Sequence, residues 1–238
     1  MDFVLTDEQE LVRRTVREFA KKEVEPMAKQ IDETGEPPLN VLKKLGELGY
    51  LGMSVPQAYG GSEADVMSYV IVMEELSRAC AATSTAVSVQ NSLVNDPIVL
   101  FGSEAQKRKY LPDLASGKAF GAFGLTEPES GSDAGAMKTT AVSDSNYYRL
   151  SGTKRFITNA AFADIFIVFA STNPAAGNKG VSGFIVERGM RGFSIGAEED
   201  KLGIRGTSTC ELSFEDCKAE SASLPRRWVL LKLPSMKR

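Results

Sequence analysis

Apolar residues recur at helical spacing through most of the first half of the chain. Thr6-Asp7-Glu8-Gln9 has the form of a capping box, in which the Thr6 and Gln9 side chains cap one helix start. The apolar positions that follow, at steps of three to five residues, predict an amphipathic helix. They are Val12, Val16, Phe19, Val24, Met27 and Ile31. Pro37-Pro38 then interrupts the pattern.

Further helices are predicted up to Gly117. One runs from Leu39 to about Leu48 and stops at Gly49, and Asp65 opens another. Residues 83–101 carry few charges, which indicates a buried segment. Ser103-Glu104-Ala105-Gln106 is a second capping box, and the helix that it starts ends at Gly117.

The pattern changes after Gly117 to short runs rich in β-branched and aromatic residues. Gly, Asn, Ser and Pro clusters separate these runs, as in antiparallel strands joined by turns. The predicted strands are Phe120–Thr126, Tyr147–Leu150, Ile165–Ala170, Gly183–Glu187 and Cys210–Phe214. The predicted fold class is therefore multidomain α+β. A helical domain at residues 1–118 is followed by an antiparallel β-barrel or sandwich domain at 119–218 and a divergent tail at 219–238.

Composition narrows the classes of function. A net charge of −3 provides no excess of positive charge, so the sequence does not predict binding to nucleic acid or to an anionic membrane. The chain contains no histidine, which excludes a Ser-His-Asp triad, a Cys-His dyad and a His-ligated metal, and no metal site is predicted. Three cysteines without a CxxC spacing indicate core thiols in a reducing compartment. The N-terminus lacks the features of a secretory signal, so we expect a cytoplasmic protein.

Phe123-Gly124-Leu125-Thr126-Glu127-Pro128-Glu129-Ser130-Gly131-Ser132-Asp133 is the segment with the most distinctive chemistry. It leaves a predicted strand and enters a loop rich in hydroxyls, glycine and carboxylates. Two interpretations stand side by side: a polar turn between strands, or a loop whose backbone and hydroxyls face a planar, electron-rich ligand. In the second, Thr126 and Ser132 each donate one hydrogen bond. The segment contains neither a P-loop nor a GxGxxG motif.

Three other features each have two interpretations. Lys154-Arg155-Phe156-Ile157-Thr158-Asn159-Ala160 places an aromatic ring next to a hydroxyl at a strand end, which suits either a flavin ring or a core phenylalanine before a turn. Lys201–Thr209 is either an anion site or a basic turn. The carboxylate pairs Glu74-Glu75 and Glu198-Glu199 are interpreted as solvated faces.

Taken together and in this order, the motifs resemble those of the acyl-CoA dehydrogenase family, most closely its short-chain, butyryl-CoA-type bacterial members. The resemblance covers residues 1 to about 218. The motifs that carry it are Tyr59-Gly60-Gly61, Glu74-Glu75-Leu76-Ser77, Gly102-Ser103-Glu104-Ala105-Gln106-Lys107, Leu125-Thr126-Glu127-Pro128, Phe156-Ile157-Thr158-Asn159, Lys201-Leu202-Gly203-Ile204-Arg205 and Phe214-Glu215-Asp216.

The resemblance implies an FAD-dependent enzyme that oxidises an acyl-CoA thioester to the trans-2-enoyl-CoA and passes the electrons to an electron-transferring flavoprotein. It also implies a homo-oligomer. By resemblance, Phe123, Leu125, Thr126 and Gly131 belong to the FAD site, with Thr126 hydrogen-bonded to the ring system. Ser132 is similar to the residue that contacts both FAD and acyl-CoA.

By the same resemblance, Phe156, Ile157 and Thr158 flank the flavin, with Thr158 near its reactive nitrogen. A hydrogen-bond donor at that point would stabilise the charge that develops as the ring is reduced.

The departures from the family concern the end of the chain. The family's C-terminal four-helix domain, which carries the catalytic glutamate, has no counterpart here, so no catalytic residue is assigned. The tail is interpreted as the result of truncation or a frameshift. Two hypotheses follow. The chain is either part of an enzyme whose base comes from elsewhere, and inactive alone, or a non-catalytic remnant that holds flavin or acyl-CoA weakly.

Overall fold

The computed structural model of the chain describes residues 4–145 and 147–220. The α-helices of these residues are α1 (Asp7–Phe19), α2 (Ala28–Thr34), α3 (Leu39–Glu47), α4 (Val66–Ala79), α5 (Ala81–Ser88), α6 (Asp96–Phe101) and α7 (Glu104–Ser116). The strands are β1 (Gly121–Gly124), β2 (Thr140–Asp144), β3 (Tyr147–Thr158), β4 (Ile165–Ser171), β5 (Val181–Glu187), β6 (Phe193–Glu198) and β7 (Thr209–Glu220).

Both predicted capping boxes are confirmed. Gln9 N donates to Thr6 Oγ1 at 3.2 Å, and Thr6 N donates to Gln9 Oε1 at 3.1 Å. The same reciprocal pair joins Ser103 and Gln106 at the start of α7. α7 ends where Gly117 adopts a left-handed conformation with φ of 73°, as the helix-stop signal predicts.

The apolar stripe of the first helix is also confirmed, although that helix is not continuous. Val16, Val24 and Ile31 are buried in the core of the helical region. Between α1 and α2 the chain passes through a π-helical turn, Ala20–Val24, and a short 3₁₀ turn. These two turns change the number of residues per helical turn. Apolar residues at irregular spacing therefore still face the same core.

Glu75 corrects the prediction that the Glu74-Glu75 pair is solvated. Its side chain is buried, and Arg17 donates to it from Nε at 2.9 Å and from Nη2 at 2.6 Å. Successive helical residues differ by about 100° in direction, which lets Glu74 stay exposed while Glu75 turns inward. Glu75 faces α1, and its two hydrogen bonds from Arg17 offset the loss of water.

The sheet corrects the prediction of a plainly antiparallel barrel or sandwich. Its strand order is β1-β4-β2-β3-β7-β6, with β5 paired to β4. β1 and β4 are parallel, from Gly121↔Ile165 onward, and β2 meets β4 in parallel at Thr140↔Ser171. The other pairings are antiparallel. The sheet is therefore mixed and curled, because β4 re-enters beside β1 in the same direction.

β2 and β6 were not predicted, and β3 and β7 are each several residues longer than predicted. β6 is mostly exposed and β2 is buried only at its second residue, so neither has the apolar run that marks a strand. β7 continues through Ala219 and Glu220, the first residues of the predicted tail. The rest of that tail, residues 221–238, lies outside the described residues.

A buried glutamine joins the helical region to the sheet. Gln90 lies in a π-helical segment, Val89–Asn95, that continues α5. Its Nε2 donates to the carbonyls of Leu114 and Ala119 at 2.8 and 3.2 Å, and its Oε1 accepts from Gly121 N at 2.8 Å. The start of β1 is thereby tied to the π-helical segment that lies beside it.

Within the described residues, no helix is long and apolar enough to cross a lipid bilayer.

We expect Gln90→Leu to lower the free energy of unfolding by about 2–3 kcal/mol, because it leaves a buried N–H and two buried carbonyls without partners. Urea denaturation monitored by circular dichroism measures the change. Gln30→Leu is the matched control, since Gln30 is exposed on α2. Equal stability of the Gln90 and Gln30 variants would contradict the role given to Gln90.

Candidate functional site

A cleft of about 190 Å³ opens where the helical region meets the sheet. Three separate segments line it: the π-helical segment, the end of β1 with the loop that follows, and the end of β3. The lining residues are Val89, Leu93, Phe123, Leu125, Thr126, Phe156, Ile157 and Thr158. The structure therefore brings together six of the eight site residues predicted from the sequence.

Phe123 and the two residues after β1 form one wall of the cleft. The Phe123 ring packs against Phe169 with the ring centroids 5.1 Å apart. Beyond the strand, the Thr126 carbonyl accepts a hydrogen bond from Arg155 N at 2.8 Å. This bond fixes the loop of Leu125 and Thr126 against β3, although the two segments are far apart in sequence.

A β-bulge at Arg155 and Phe156 forms the opposite wall. The register with β7 shifts between Lys154 and Ile157, and Phe156 has φ of 60°. Lys154 and Ile157 are both buried, whereas Phe156 is 57% exposed with the Arg155 guanidinium 5.0 Å from its ring centre. A bulge re-aims side chains in this way, and a positive φ on a bulky residue is sparsely populated. The strained backbone places an aromatic ring at the cleft.

Thr126 and Thr158 supply the polar groups of the cleft. Neither hydroxyl has a hydrogen-bond partner among residues 4–145 and 147–220, and the same holds for Thr126 N–H. Both threonines are partly exposed, so these donors remain available to a ligand. Two aromatic rings, apolar side chains and free donors together suit a flat, conjugated ring that carries hydrogen-bond acceptors. A flavin has that chemistry, so the residues present fit the expected cofactor.

Gly131 and Ser132 do not reach this cleft. Glu127 and Ser130 close a tight turn through reciprocal backbone hydrogen bonds of 2.9 and 3.2 Å. The buried Ser130 hydroxyl then donates to the Asp133 carbonyl at 2.7 Å. Gly131 and Ser132 project from this turn and are exposed. They lie on the same loop as Thr126 but outside the lining of the cleft.

A buried ion pair lies behind the Leu125–Thr126 wall and was not foreseen from the sequence. Lys154 is fully buried, and its Nζ lies 2.7 Å from Glu127 Oε1 and 3.0 Å from the Leu125 carbonyl. Glu127 also accepts from Lys138 N at 2.5 Å and Thr139 N at 3.0 Å. The one signal in the sequence was a lysine at an inward position of β3.

The two members of this pair respond differently to burial. Burial lowers the pKa of Lys154, and the neighbouring Glu127 offsets only part of that effect. Burial alone would raise the pKa of Glu127, but hydrogen bonds from Lys154, Thr139 and Lys138 outweigh it, so the pKa is lowered. The carboxylate is therefore held firmly in its charged form.

The turn after Thr158 is fixed by two further side chains. Asn159, with φ of 67°, donates from Nδ2 to the carbonyls of Ala86 and Gly121 at 3.3 Å each. Arg188 donates to three carbonyls of the next residues, those of Ala160, Ala161 and Ala163, at 2.7–2.9 Å. The turn that follows Thr158 is thus anchored to the helical region and to Arg188, the residue that follows β5.

The Lys201–Thr209 segment supports the structural interpretation of that motif. Lys201 Nζ donates to the Thr207 carbonyl and lies 2.9 Å from the hydroxyls of Thr207 and Thr209. The ammonium group therefore closes its own turn, away from the cleft lining. In the part of the chain that the structure describes, no group of three His, Cys, Asp or Glu side chains is placed to hold a metal ion.

Comparison with known families gives two matches along the chain. The family description "Acyl-CoA dehydrogenase, N-terminal domain" matches residues 6–118, and "Acyl-CoA dehydrogenase, middle domain" matches residues 122–217. The cleft-lining residues from β1 and β3 fall within the second match, and Val89 and Leu93 fall within the first.

One curated relative is the short-chain specific acyl-CoA dehydrogenase of Clostridium acetobutylicum, which is 51% identical over 216 residues. The match covers 91% of this chain and 57% of the relative. The chain therefore spans a little over half the length of that protein.

Two solved structures share the fold. A chain in the structure of the electron transferring flavoprotein of Acidaminococcus fermentans is 44% identical, with a TM-score of 0.91 over 94% of this chain and 59% of that one. The glutaryl-CoA dehydrogenase of Mycobacterium smegmatis in complex with FADH2 is 36% identical, with a TM-score of 0.87 over 93% and 56%.

We expect Glu127→Gln to lower the free energy of unfolding by about 3 kcal/mol near pH 7, because it leaves Lys154 as a buried, unpaired charge. The native pKa of Glu127 lies below its unfolded value. Its contribution is therefore complete above the unfolded pKa of about 4.3 and is lost as the pH falls through the native pKa. Urea denaturation at several pH values measures the gap between wild type and variant, which should narrow below about pH 4.

Glu129→Gln is the control for this experiment, since Glu129 is exposed on the same loop. It should change stability by less than about 0.5 kcal/mol. A Glu127→Gln variant that loses the same stability at acidic and neutral pH would show that the charge of Glu127 is not what matters.

Proposed function

The chain belongs to the acyl-CoA dehydrogenase family, and we propose that its cleft binds the flavin ring of FAD in an enzyme that oxidises short-chain acyl-CoA thioesters to trans-2-enoyl-CoA. One observation carries the proposal. Two free threonine hydroxyls and two aromatic rings converge on one cleft from strands distant in sequence. The short-chain specific relative and the FADH2 complex of another relative support the substrate class and the cofactor.

Each cleft residue has a role that follows from its chemistry. Thr126 and Thr158 donate hydrogen bonds to acceptors of the ring, and Phe123 and Phe156 contact its apolar surface or edge. Leu125 and Ile157 exclude water from the contact. The chemistry that FAD supplies when bound is acceptance of a hydride equivalent from the substrate Cβ. Donors already in place at the cleft stabilise the negative charge that accompanies that transfer.

Gly131 and Ser132 are proposed to act at the exposed edge of the site. Both are solvent-exposed on the loop that continues from Thr126. A glycine there lets a ligand approach the backbone, since a Cβ on Gly131 would meet nothing within 4 Å. We assign Ser132 to contact with both FAD and the acyl-CoA, which would meet where the cleft opens to solvent.

The proton acceptor must come from outside the cleft lining. No carboxylate is among the described residues that line the cleft. Removal of the α-proton of the thioester needs a positioned base, which typically contributes about 10²–10⁴-fold to the rate. The family supplies a glutamate for this step. The alternative function is therefore a non-catalytic module that holds flavin or acyl-CoA weakly.

We further propose that the electrons leave to an electron-transferring flavoprotein and that the protein assembles as a homo-oligomer. The likeness to a chain in the A. fermentans structure supports the first partner. We assign the protein to the cytoplasm, because Cys80, Cys210 and Cys217 are buried free thiols, as in a reducing compartment.

We expect the 238-residue chain to bind added FAD. The single variants Thr126→Val and Thr158→Val should each weaken that binding by about tenfold or more, because each removes one hydrogen-bond donor. Quenching of flavin fluorescence in a titration gives the Kd. Thr140→Val is the control, because Thr140 lies on β2 outside the cleft lining, and it should leave the Kd within about twofold. Unchanged affinity in both Thr126→Val and Thr158→Val, or no binding by wild type, would contradict the proposal.

We expect butyryl-CoA to leave the absorption of FAD bound to this chain unbleached under anaerobic conditions, because the cleft lining holds no carboxylate to accept the α-proton. Visible absorption before and after addition is the measurement. Bleaching at a substrate-dependent rate would show that a base is already present. Bound flavin that persists unchanged would support the non-catalytic alternative for this chain by itself.

A further inference from the structure

We propose that Lys154 is a positioning residue whose buried ammonium group fixes and polarises the Leu125–Thr126 peptide, so that the cleft favours the reduced, electron-rich form of its flavin over the oxidised form. This inference rests on the proposed function, since it concerns the same cleft. It assigns a role to a side chain that does not line the site.

The hydrogen bond from Lys154 acts directly on that peptide. Lys154 Nζ lies 3.0 Å from the Leu125 carbonyl oxygen, and the lysine is fully buried. The carbonyl of Leu125 and the N–H of Thr126 belong to one peptide group. A charge-assisted hydrogen bond at the oxygen draws electron density from the nitrogen and makes its N–H a stronger donor.

Thr126 is held in place with its polarised N–H free to donate to a ligand. Its carbonyl accepts from Arg155 N at 2.8 Å, which fixes the next peptide as well. Its own N–H and hydroxyl have no acceptor among residues 4–145 and 147–220. The two peptides around Thr126 are therefore anchored from behind, while the donors of Thr126 stay free.

In the ion pair of Lys154 with Glu127, the positive group is the one that contacts the peptide at the cleft. Glu127 Oε1 lies 2.7 Å from Lys154 Nζ, and the same carboxylate accepts from Lys138 N and Thr139 N. The negative end of the pair is thus held by the segment that leads into β2. The positive end bonds to the carbonyl of Leu125, which lines the cleft. The field of the pair at the Leu125–Thr126 peptide is positive.

Stability alone does not account for this arrangement. A buried ion pair is worth little net stability compared with apolar side chains of the same volume, because both charges lose their water. β3 continues an apolar interior in which Leu150 and Ile157 are buried, so a methionine of similar length suits the position of Lys154. Methionine is uncharged, so it cannot supply the positive field that Lys154 supplies at the cleft.

The test compares the affinity of the 238-residue chain for oxidised FAD with its affinity for FAD reduced by dithionite under anaerobic conditions. Lys154→Met should weaken binding of the reduced form by about tenfold more than binding of the oxidised form. Lys154→Arg keeps the charge and should restore most of the preference. A purely structural role for Lys154 would weaken both forms alike and leave their ratio unchanged.

Arg149→Met is the matched control. Arg149 lies on the same strand, and its Nη2 pairs with Asp144 Oδ2 at 2.5 Å at a largely exposed position. It should leave both affinities within about twofold. If Lys154→Met fails to fold, Glu127→Gln/Lys154→Met replaces it, since the double variant leaves no unpaired buried charge and keeps an acceptor for Lys138 and Thr139.

Hydrogen exchange of the Arg155 amide in the FAD-free protein gives a second readout, because that amide donates to Thr126. Faster exchange there in Lys154→Met, without change in the Arg149 variant, supports the positioning role. A wild-type chain that binds neither form of FAD contradicts the proposed function, and the exchange result then decides the positioning role alone. Unchanged exchange, or an unchanged ratio of affinities in a wild-type chain that binds FAD, overturns the inference.

Discussion

The ammonium group of Lys154 lies inside the protein, and three segments must stay in place to keep it hydrogen bonded there. β3 carries the lysine, the loop after β1 provides the Leu125 carbonyl, and Glu127 is held by the backbone that enters β2. An unpaired buried charge is strongly unfavourable, so displacement of any one segment is resisted by the others. The wall of the cleft is therefore held by an electrostatic constraint as well as by apolar packing.

Amide side chains constrain the helical side of the cleft, which is formed by the π-helical segment. Gln90 ties the π-helical segment to β1, Asn91 accepts from Met53 N at 2.8 Å, and Asn95 donates to the Leu51 carbonyl at 2.7 Å. Apolar side chains alone tolerate small shifts, whereas directed hydrogen bonds do not. Val89 and Leu93 lie on this anchored segment, so the helical side of the cleft is also fixed by buried polar contacts. A shape that is set beforehand would lower the entropy that a ligand of this cleft loses on binding.

Local signals in the sequence predicted local structure well. Contacts between distant segments were predicted only through the resemblance to a family. The capping boxes at Thr6 and Ser103 were correct because a helix start depends on neighbouring residues alone. The parallel pairing of β1 with β4 was missed, since alternation of side chains does not encode strand direction. Six of the cleft-lining residues were named by motif, whereas Val89 and Leu93 were missed. Neither the bulge at Phe156 nor the Glu127–Lys154 contact has a local signature. Gly131 and Ser132, named by the same motif, lie outside the cleft lining for a related reason: the tight turn at Glu127–Ser130 carries them past it.

The distribution of chemistry over the described residues separates two tasks that a flavin-dependent dehydrogenase must perform. The cleft lining of this chain offers hydroxyl donors and aromatic surface, and the buried Lys154 ammonium lies behind it. These groups could stabilise negative charge on a bound ring. The lining contains no group able to remove a proton from carbon. Electrostatic stabilisation needs rigid, pre-oriented donors, and the strained, cross-anchored strands supply these. Under the proposed function, these residues would hold the ring and stabilise its charge, and the proton acceptor would come from outside the cleft lining.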